Sequence, residues 1–393
     1  MSFITGQTTE PETWMNILYI ADPHSIHDIK WMSFFSNEHH CFLLQRAYHQ
    51  SLNPNFDQKS FFINYNITVL GAIEDFSIRN FFSTLKQFRL LKKIIKENRI
   101  DLIHIMYAEP NALWAYFRNS LNVPIMLTTR GTDVLKTIPD FFNGKGILNR
   151  LVAFCYRKAF LKTDVITCTS IKQKMSILNL TNSKAKEICI IRTGVDVALI
   201  LSDQSAHKIE ALEGKKYVFF PRAMRSLYRH ELAIEAISLL PFEIRKAFSF
   251  VFVDKNSSDK TYTEKIAQKM SACDASFVWL ENLDQPRLFE TYKNASLCVM
   301  TPKSDGTPVS AIEAMLCKIP LILPDLDYDP DIFSVGISFF EDNSAESLSN
   351  LIQKHLEAKI NPDLETAFNK ALNLADRKKE MNRLGEIYRR YAN

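Results

Sequence analysis

Residues 300–320 read MTPKSDGTPVSAIEAMLCKIP, and the local folding of this stretch decides the rest of the chain. Before it, Leu297 to Thr301 is an apolar run with Cys298 and Val299 at its centre, and Pro302 ends it where a strand can lose a donor. Ser304-Asp305-Gly306-Thr307-Pro308 follows as a turn. Thr307 is placed as N-cap with Pro308 at the first helical position, and Val309 to Cys317 reads as a helix turning Ile312, Met315 and Leu316 inward. A helix starting so close behind a glycine offers unpaired amides and a positive dipole end to an anion, typically a phosphate. Glu313 stands eight residues after Asp305, deeper in the helix, where it reaches neutral polar groups of a ligand rather than its phosphates. Carboxylates repel phosphate and accept from hydroxyls. Two acids flanking an anion-binding helix start therefore suit a sugar nucleotide: ribose hydroxyls to one, hexose hydroxyls to the other, diphosphate on the amides.

This stretch resembles the donor-site signature of the retaining glycosyltransferases of family four, which share the scaffold called GT-B. The pattern is an acid, seven residues, then Glu in an "EAM" helix start, followed by a buried "P-V-I" strand. Here it runs Asp305, Glu313-Ala314-Met315, then Ile319-Pro320-Leu321-Ile322. Asp305 stands where the family often has Glu, and Cys317-Lys318 replaces a small residue and Gly. The resemblance implies an α/β chain of GT-B type, two Rossmann-like domains with parallel sheets facing a central cleft. The plainer alternative is an ordinary βα unit with a solvated Asp and a helix-surface Glu.

Length and composition agree with two domains of ordinary size. The 393 residues are 23% charged and 46% hydrophobic, as in globular proteins, with no sign of disorder. Glycine occurs only 10 times, so each is expected to be required by backbone geometry, including Gly131, Gly194 and Gly306 in the loops used here. The 7 cysteines are scattered through apolar runs without paired spacing, which reads as a reducing, cytoplasmic compartment. No apolar stretch is long enough to span a membrane, and no metal-ligand cluster is evident.

The net charge of +4 hides an asymmetry: Lys plus Arg against Asp plus Glu is 23 to 16 in residues 1–200 and 25 to 28 in residues 201–393. Residues 76–99 hold seven basic residues and one acid among Phe, Leu and Ile, and residues 141–162 repeat the theme. A basic amphipathic helix can lie on an anionic membrane, gaining apolar burial plus about 1 kcal/mol per basic residue near the surface. We expect peripheral attachment on the inner face through these stretches, against the plainer reading of sheet-covering helices with basic outer faces. No nucleic-acid-binding motif accompanies the charge.

In chain order, Asn16 to Ala21 is the first strand of a βα alternation, and Asp22-Pro23-His24-Ser25 follows. A dinucleotide-binding turn would be Gly-rich here, so this half is not expected to hold the donor phosphates. The helix SIHDIKWMSFF resembles an "H-x-x-x-W" segment of some family-four N-terminal domains, which puts His24 and His27 toward the cleft, beside the alternative of helix-surface histidines. Asp101 to Tyr107 and Pro124 to Thr129 are further strands, with His104 a candidate core histidine. The loop Thr128-Thr129-Arg130-Gly131-Thr132-Asp133 resembles the family's "T-x-H-G-x-D" or "G-S-D" loop, with Arg130 in place of a histidine that contacts the donor sugar. Arg130 could bind an anion through its fork or pair with Asp133. Val165 to Thr169 and Ile188 to Arg192 are strands, and Thr193-Gly194-Val195-Asp196 resembles the family's interdomain turn.

The second half restarts with strands at Tyr217 to Pro221, Phe248 to Val253, Ser276 to Leu280, Leu297 to Thr301, Leu321 to Leu323 and Ile337 to Phe340. Domains are placed at 1–200 and 201–375, with 376–393 a helix returning to the first. Relatives carry "G-R-L", then a Lys, after the first of these strands, and the two cations clamp the donor diphosphate. Arg222 matches the first. Tyr228 falls on the register of the second, with Arg229 beside it as the substitute cation and Arg225 as the alternative. Leu283 lies in the segment that resembles the nucleobase loop, and Gly306, Thr307, Pro308 and Val309 form the phosphate-binding helix start. Asp325-Leu326-Asp327-Tyr328-Asp329-Pro330-Asp331 contains a D-x-D, but Pro330 and Gly336 stand where a calcium loop needs Gly and Glu, so no metal is expected.

The resemblance implies a metal-independent transferase, a retaining hexosyltransferase, that moves a sugar from a UDP- or GDP-linked nucleotide-sugar donor to a glycan or lipid-linked acceptor. Asp305, Glu313, Arg222 and Arg229 would carry the donor chemistry without a cofactor, and His24, His27, Arg130 and Asp133 would line the acceptor side. A nucleotide-sugar 2-epimerase and a catalytically silent sugar-nucleotide-binding protein share the fold and remain alternatives.

Overall fold

The apolar runs of the first half pair side by side as parallel strands in a computed structural model that describes residues 14–52, 57–77, 80–203, 205–254, 259–281 and 283–391. They are β1 (Asn16–Ala21), β2 (His40–Arg46), β3 (Ile67–Ile73), β4 (Leu102–Met106), β5 (Ile125–Thr128), β6 (Val165–Cys168) and β7 (Ile188–Ile190). Their order in the sheet is β3-β2-β1-β4-β5-β6-β7. Helices cover both faces, which is why β1, β4, β5 and β6 are apolar nearly throughout rather than alternating. Leu91, Ile94 and Ile95 of the helix Phe81–Glu97 and Tyr156, Ala159 and Phe160 of the helix Ile147–Lys162 pack on one face. Trp31, Met32 and Phe35 pack on the other together with Met381, Leu384, Ile387 and Tyr388 of the last helix, Arg377–Tyr391.

Strands β2 and β3 did not figure in the sequence reading. Both lack flanking Gly or Pro punctuation, and β3 is broken by a register shift: Val69 pairs with Leu43 and Gly71, at φ +127°, with Leu44, so that Leu70 between them bulges out of register.

The second half forms its own parallel sheet: β8 (Tyr217–Phe220), β9 (Ser249–Asp254), β10 (Ser276–Glu281), β11 (Leu297–Val299), β12 (Leu321–Pro324) and β13 (Ile337–Phe340), ordered β10-β9-β8-β11-β12-β13. Phe219, Cys298 and Leu321 face one buried cluster and Val218, Val299 and Ile322 another. In each sheet the winding reverses once, between β1 and β4 in the first and between β8 and β11 in the second. The carboxyl ends of strands flanking such a reversal are where open α/β sheets bind ligands.

The chain divides into residues up to Ile191 with those from Met381 onward, and Arg192–Glu380. The sequence reading put these boundaries after residues 200 and 375. The residues following Arg192 pack with the second unit: Val195, Val197 and Ile200 lie in its core, and Val195 exchanges backbone bonds with Ala375 and Arg377. Gly194 stands there at φ +64°, and a Cβ on it would come within 2.6 Å of Arg377 Cα.

Candidate functional site

At the carboxyl ends of β8 and β11, one on each side of the reversal, Arg222 and Asp305 meet. Arg222 leaves β8 two residues after Phe220 and lays its guanidinium over the Tyr228 ring, 4.0 Å from the centroid. One Nη donates to Asp305 Oδ2 at 3.1 Å and the other to Ser310 Oγ at 2.6 Å. Ser310 lies in the first turn of the helix Val309–Leu316, so the arginine fork bridges the turn and the helix start. The helix begins after Pro308 as its N-cap, with no side-chain hydrogen bond there. The expected Thr307 cap is not formed, because Pro308 occupies the cap position with an extended backbone. Gly306 is not forced by backbone geometry either: a Cβ there would meet nothing within 4 Å, so the glycine leaves open space beside the helix start. The Gly306 carbonyl accepts the Asp329 amide at 2.9 Å, which fixes the turn.

Burial holds the Asp305 carboxyl above its ordinary pKa, while the Arg222 charge and the Gly306 amide pull it back. Glu313 is half-buried on the same helix. Its charge, after burial itself, adds to the upward push on the phenol of Tyr292, whose hydroxyl donates to Ser310 O. Leu283 lies just past β10 with its side chain in the core, leaving backbone for any base contact.

Arg229 takes a different place from the one expected. It is 6% exposed, in the left-handed region at φ +44°, and its guanidinium donates to Thr301 O at 3.0 Å, Pro302 O at 2.6 Å and Asp342 at 2.6 Å. A fork committed to two carbonyls and a carboxylate is a brace for the end of β11 rather than an open anion site. Two acids of the D-x-D stretch are likewise engaged structurally: Asp329, with its side chain fully buried, and Asp331 accept from Arg192 at 3.1 and 2.8 Å.

Two family models match the chain: "glycosyl transferases group 1" over residues 202–373 and "glycosyl transferase 4-like" over residues 16–170. The chain belongs to the group 1 glycosyltransferases.

Among curated relatives of this glycosyltransferase, an uncharacterized glycosyltransferase of Methanocaldococcus jannaschii is 24% identical over 61% of this chain and 60% of its own. The O-antigen biosynthesis glycosyltransferase WbnH of Escherichia coli is 24% identical over 63% of this chain and 65% of its own. The chain thus matches somewhat under two thirds of the length of these relatives. Among solved structures, a glycosyltransferase from Rickettsia africae ESF-5 superposes with a TM-score of 0.73 at 16% identity, over 96% of this chain and 98% of that one. The Anabaena protein HepE, solved with UDP, superposes with a TM-score of 0.71 at 14% identity, over 95% and 99%. At these identities the likeness concerns the fold, which is GT-B.

In the first unit of this group 1 glycosyltransferase, the edge at β1, β4 and β5 gathers His27, Asp28, Trp31 and Arg130. Arg130 does not pair its fork with Asp133. Its guanidinium stacks on Trp31 at 4.4 Å and donates to Asp28 at 2.9 Å. Asp133 is fully buried and accepts the amides of Ala108, Arg130, Gly131 and Val134, so it shapes the loop instead of facing a ligand. His27 is exposed there, and partial burial, then the Arg130 charge, lower its pKa. His24 is exposed on the turn after β1.

Sequence reasoning missed the neighbouring group at the ends of β2 and β4: Arg46 forks onto Asp75 at 2.7 Å, and burial raises the carboxyl of Glu109. The unrecognised β2 hid Arg46. His104 is a core residue, its two nitrogens 2.6 Å from Tyr388 Oη and from Thr128 Oγ1.

Proposed function

We propose that the protein is a retaining, metal-independent hexosyltransferase that moves a sugar from a nucleotide-sugar donor to a glycan or lipid-linked acceptor. The observation that carries this reading is the Arg222 fork joined to Asp305 and Ser310 at the reversal of the second sheet. A diphosphate leaving group gains negative charge as the glycosidic bond breaks, and a guanidinium beside free helix amides stabilises it without a metal. Arg222, Ser310 and the amides near Val309 hold the diphosphate. Asp305 orients the hexose and Glu313 the ribose. The acceptor meets the first unit around His24, His27, Asp28 and Arg130. The leaving phosphate takes the acceptor proton on the face it departs from, so no side-chain base is required.

The donor nucleotide we favour is UDP, because HepE is described in complex with UDP and with UDP-glucose; GDP is next. The acceptor class rests on the O-antigen biosynthesis role named for WbnH. We place the enzyme in the cytoplasm, on the inner face of a membrane.

The test is isothermal titration with UDP, GDP and UDP-sugars, beside Arg222→Ala and Glu313→Ala. One nucleotide should bind, weakened at least about tenfold (1.4 kcal/mol) in each variant. Binding by neither nucleotide, or equal binding by both variants, sinks the donor site. Donor turnover with and without acceptor then separates transfer from epimerisation.

A further inference from the structure

We infer that the protruding amino-terminal half of the helix Ile147–Lys162 is an anionic-lipid docking surface, through Ile147, Leu151 and Phe154 with the basic residues around them. Ile147 is 87% exposed, Leu151 43% and Phe154 49%. They recur at i, i+4 and i+7, so they line one stripe of the helix, and Leu148, 39% exposed, widens it. An isolated exposed apolar residue is ordinary, whereas a stripe left in water costs free energy unless something covers it.

The chemistry of the surroundings selects the cover. Between Phe141 and Lys162 there is no acid; Lys145, Arg150 and Lys158 are exposed, while Arg157 and Lys162 are partly buried and donate to the carbonyls of Leu180 and Tyr116. Lys158 lies over the Phe154 ring at 5.5 Å, so cation and apolar residue share one surface. A partner protein would need an apolar ridge inside an acidic frame, while an anionic bilayer supplies both by its nature: phosphates for the cations, acyl chains for the stripe.

The other basic stretch behaves differently. In Phe81–Glu97 the apolar residues Leu91, Ile94 and Ile95 are spent on the core, and Lys86, Arg89, Lys92, Lys93 and Lys96 form its exterior. Phe82, 85% exposed, and Leu90, 38% exposed, stand eight residues apart on this helix, so it adds positive charge and an exposed aromatic side chain but no continuous apolar stripe. Both helices cover the same face of the first sheet, so the charge adds to the field at one surface.

This inference refines the membrane placement proposed above and is independent of the transfer reaction. The test is cosedimentation of the full chain with vesicles of equal parts phosphatidylcholine and phosphatidylglycerol, and with phosphatidylcholine alone. We expect binding to the anionic vesicles, weakened by salt, and little to the neutral ones. The variant I147D/L151D/F154D should lose about tenfold or more of it, and R150E/K158E should lose a comparable part while its folding and nucleotide titration stay unchanged. No binding to anionic vesicles at low salt overturns both the surface and the placement. Binding that survives both variants overturns this surface alone and moves the contact elsewhere. A wild-type chain that self-associates through the stripe and ignores vesicles assigns the stripe to a second copy and overturns the lipid inference.

Discussion

Arg222 is bound to Asp305 at 3.1 Å at the very place where the donor diphosphate is expected. The carboxylate and a phosphate therefore compete for one fork, and Asp305 has two opposed effects: it holds Arg222 in place, and it must release part of it to the donor.

Neutralising the acid should separate binding from transfer. In Asp305→Asn the fork is free for the diphosphate, so UDP affinity stays level or rises, while transfer falls by about 100-fold as the hexose loses a charged acceptor. Titration and donor turnover on the same preparation check this. A parallel fall of both would show that Asp305 supports the nucleotide rather than competing with it.

The brace formed by Arg229 makes a stability prediction. Arg229→Ala leaves the carbonyls of Thr301 and Pro302 without donors and should lower the unfolding free energy by about 2–3 kcal/mol, read from the urea midpoint. Arg229→Lys should recover only part, because one ammonium cannot reproduce the fork. Unchanged stability with nucleotide binding lost would return Arg229 to the phosphate.

The acids of the D-x-D stretch give a second test. Asp329 is wholly buried against Arg192, and removing the arginine strands that charge, at a cost of about 3–5 kcal/mol. Arg192→Ala should therefore melt early, whereas EDTA should leave transfer undiminished. Activity lost to EDTA and restored by Mg²⁺ or Mn²⁺ would assign the acids to a metal.

Two buried histidines set an acid limit. Burial lowers the pKa of His104 to about 3 and of His230 to about 4, both below the ordinary unfolded value. Below about pH 6.5 the unfolded chain takes up protons that the native chain refuses, so stability is present above that pH and falls on acidification, by up to ~1.4 kcal/mol per pH unit for each. Urea midpoints at pH 7 and pH 5 check the slope, and His104→Gln should reduce it. A flat profile over that window would mean that both rings charge inside the fold.

The geometry of the candidate donor site was legible because its signals are local. A strand, a turn and a helix start within twenty residues fix where Asp305, Glu313 and the helix amides stand. The βα alternation fixes a parallel sheet, since parallel strands need crossovers long enough to hold a helix. What the sequence left out depends on neighbours far apart in the chain. Ser310 becomes an arginine partner only because β8 lies beside β11, and Tyr228, which the sequence placed on the register of the lysine, is a platform for Arg222.

Residue type and spacing thus determined most of the elements, the family likeness and which helix start is the candidate anion site. Only the tertiary structure decided which charges are available. Arg222 and Arg229 are seven residues apart and chemically identical, yet one stands at the sheet reversal beside a carboxylate and a helix start, and the other is consumed by the chain that follows β11 and β13. The reason is that a buried guanidinium must find acceptors for its donors, and which acceptors lie in reach is set by the packing of the sheet and not by the sequence around it.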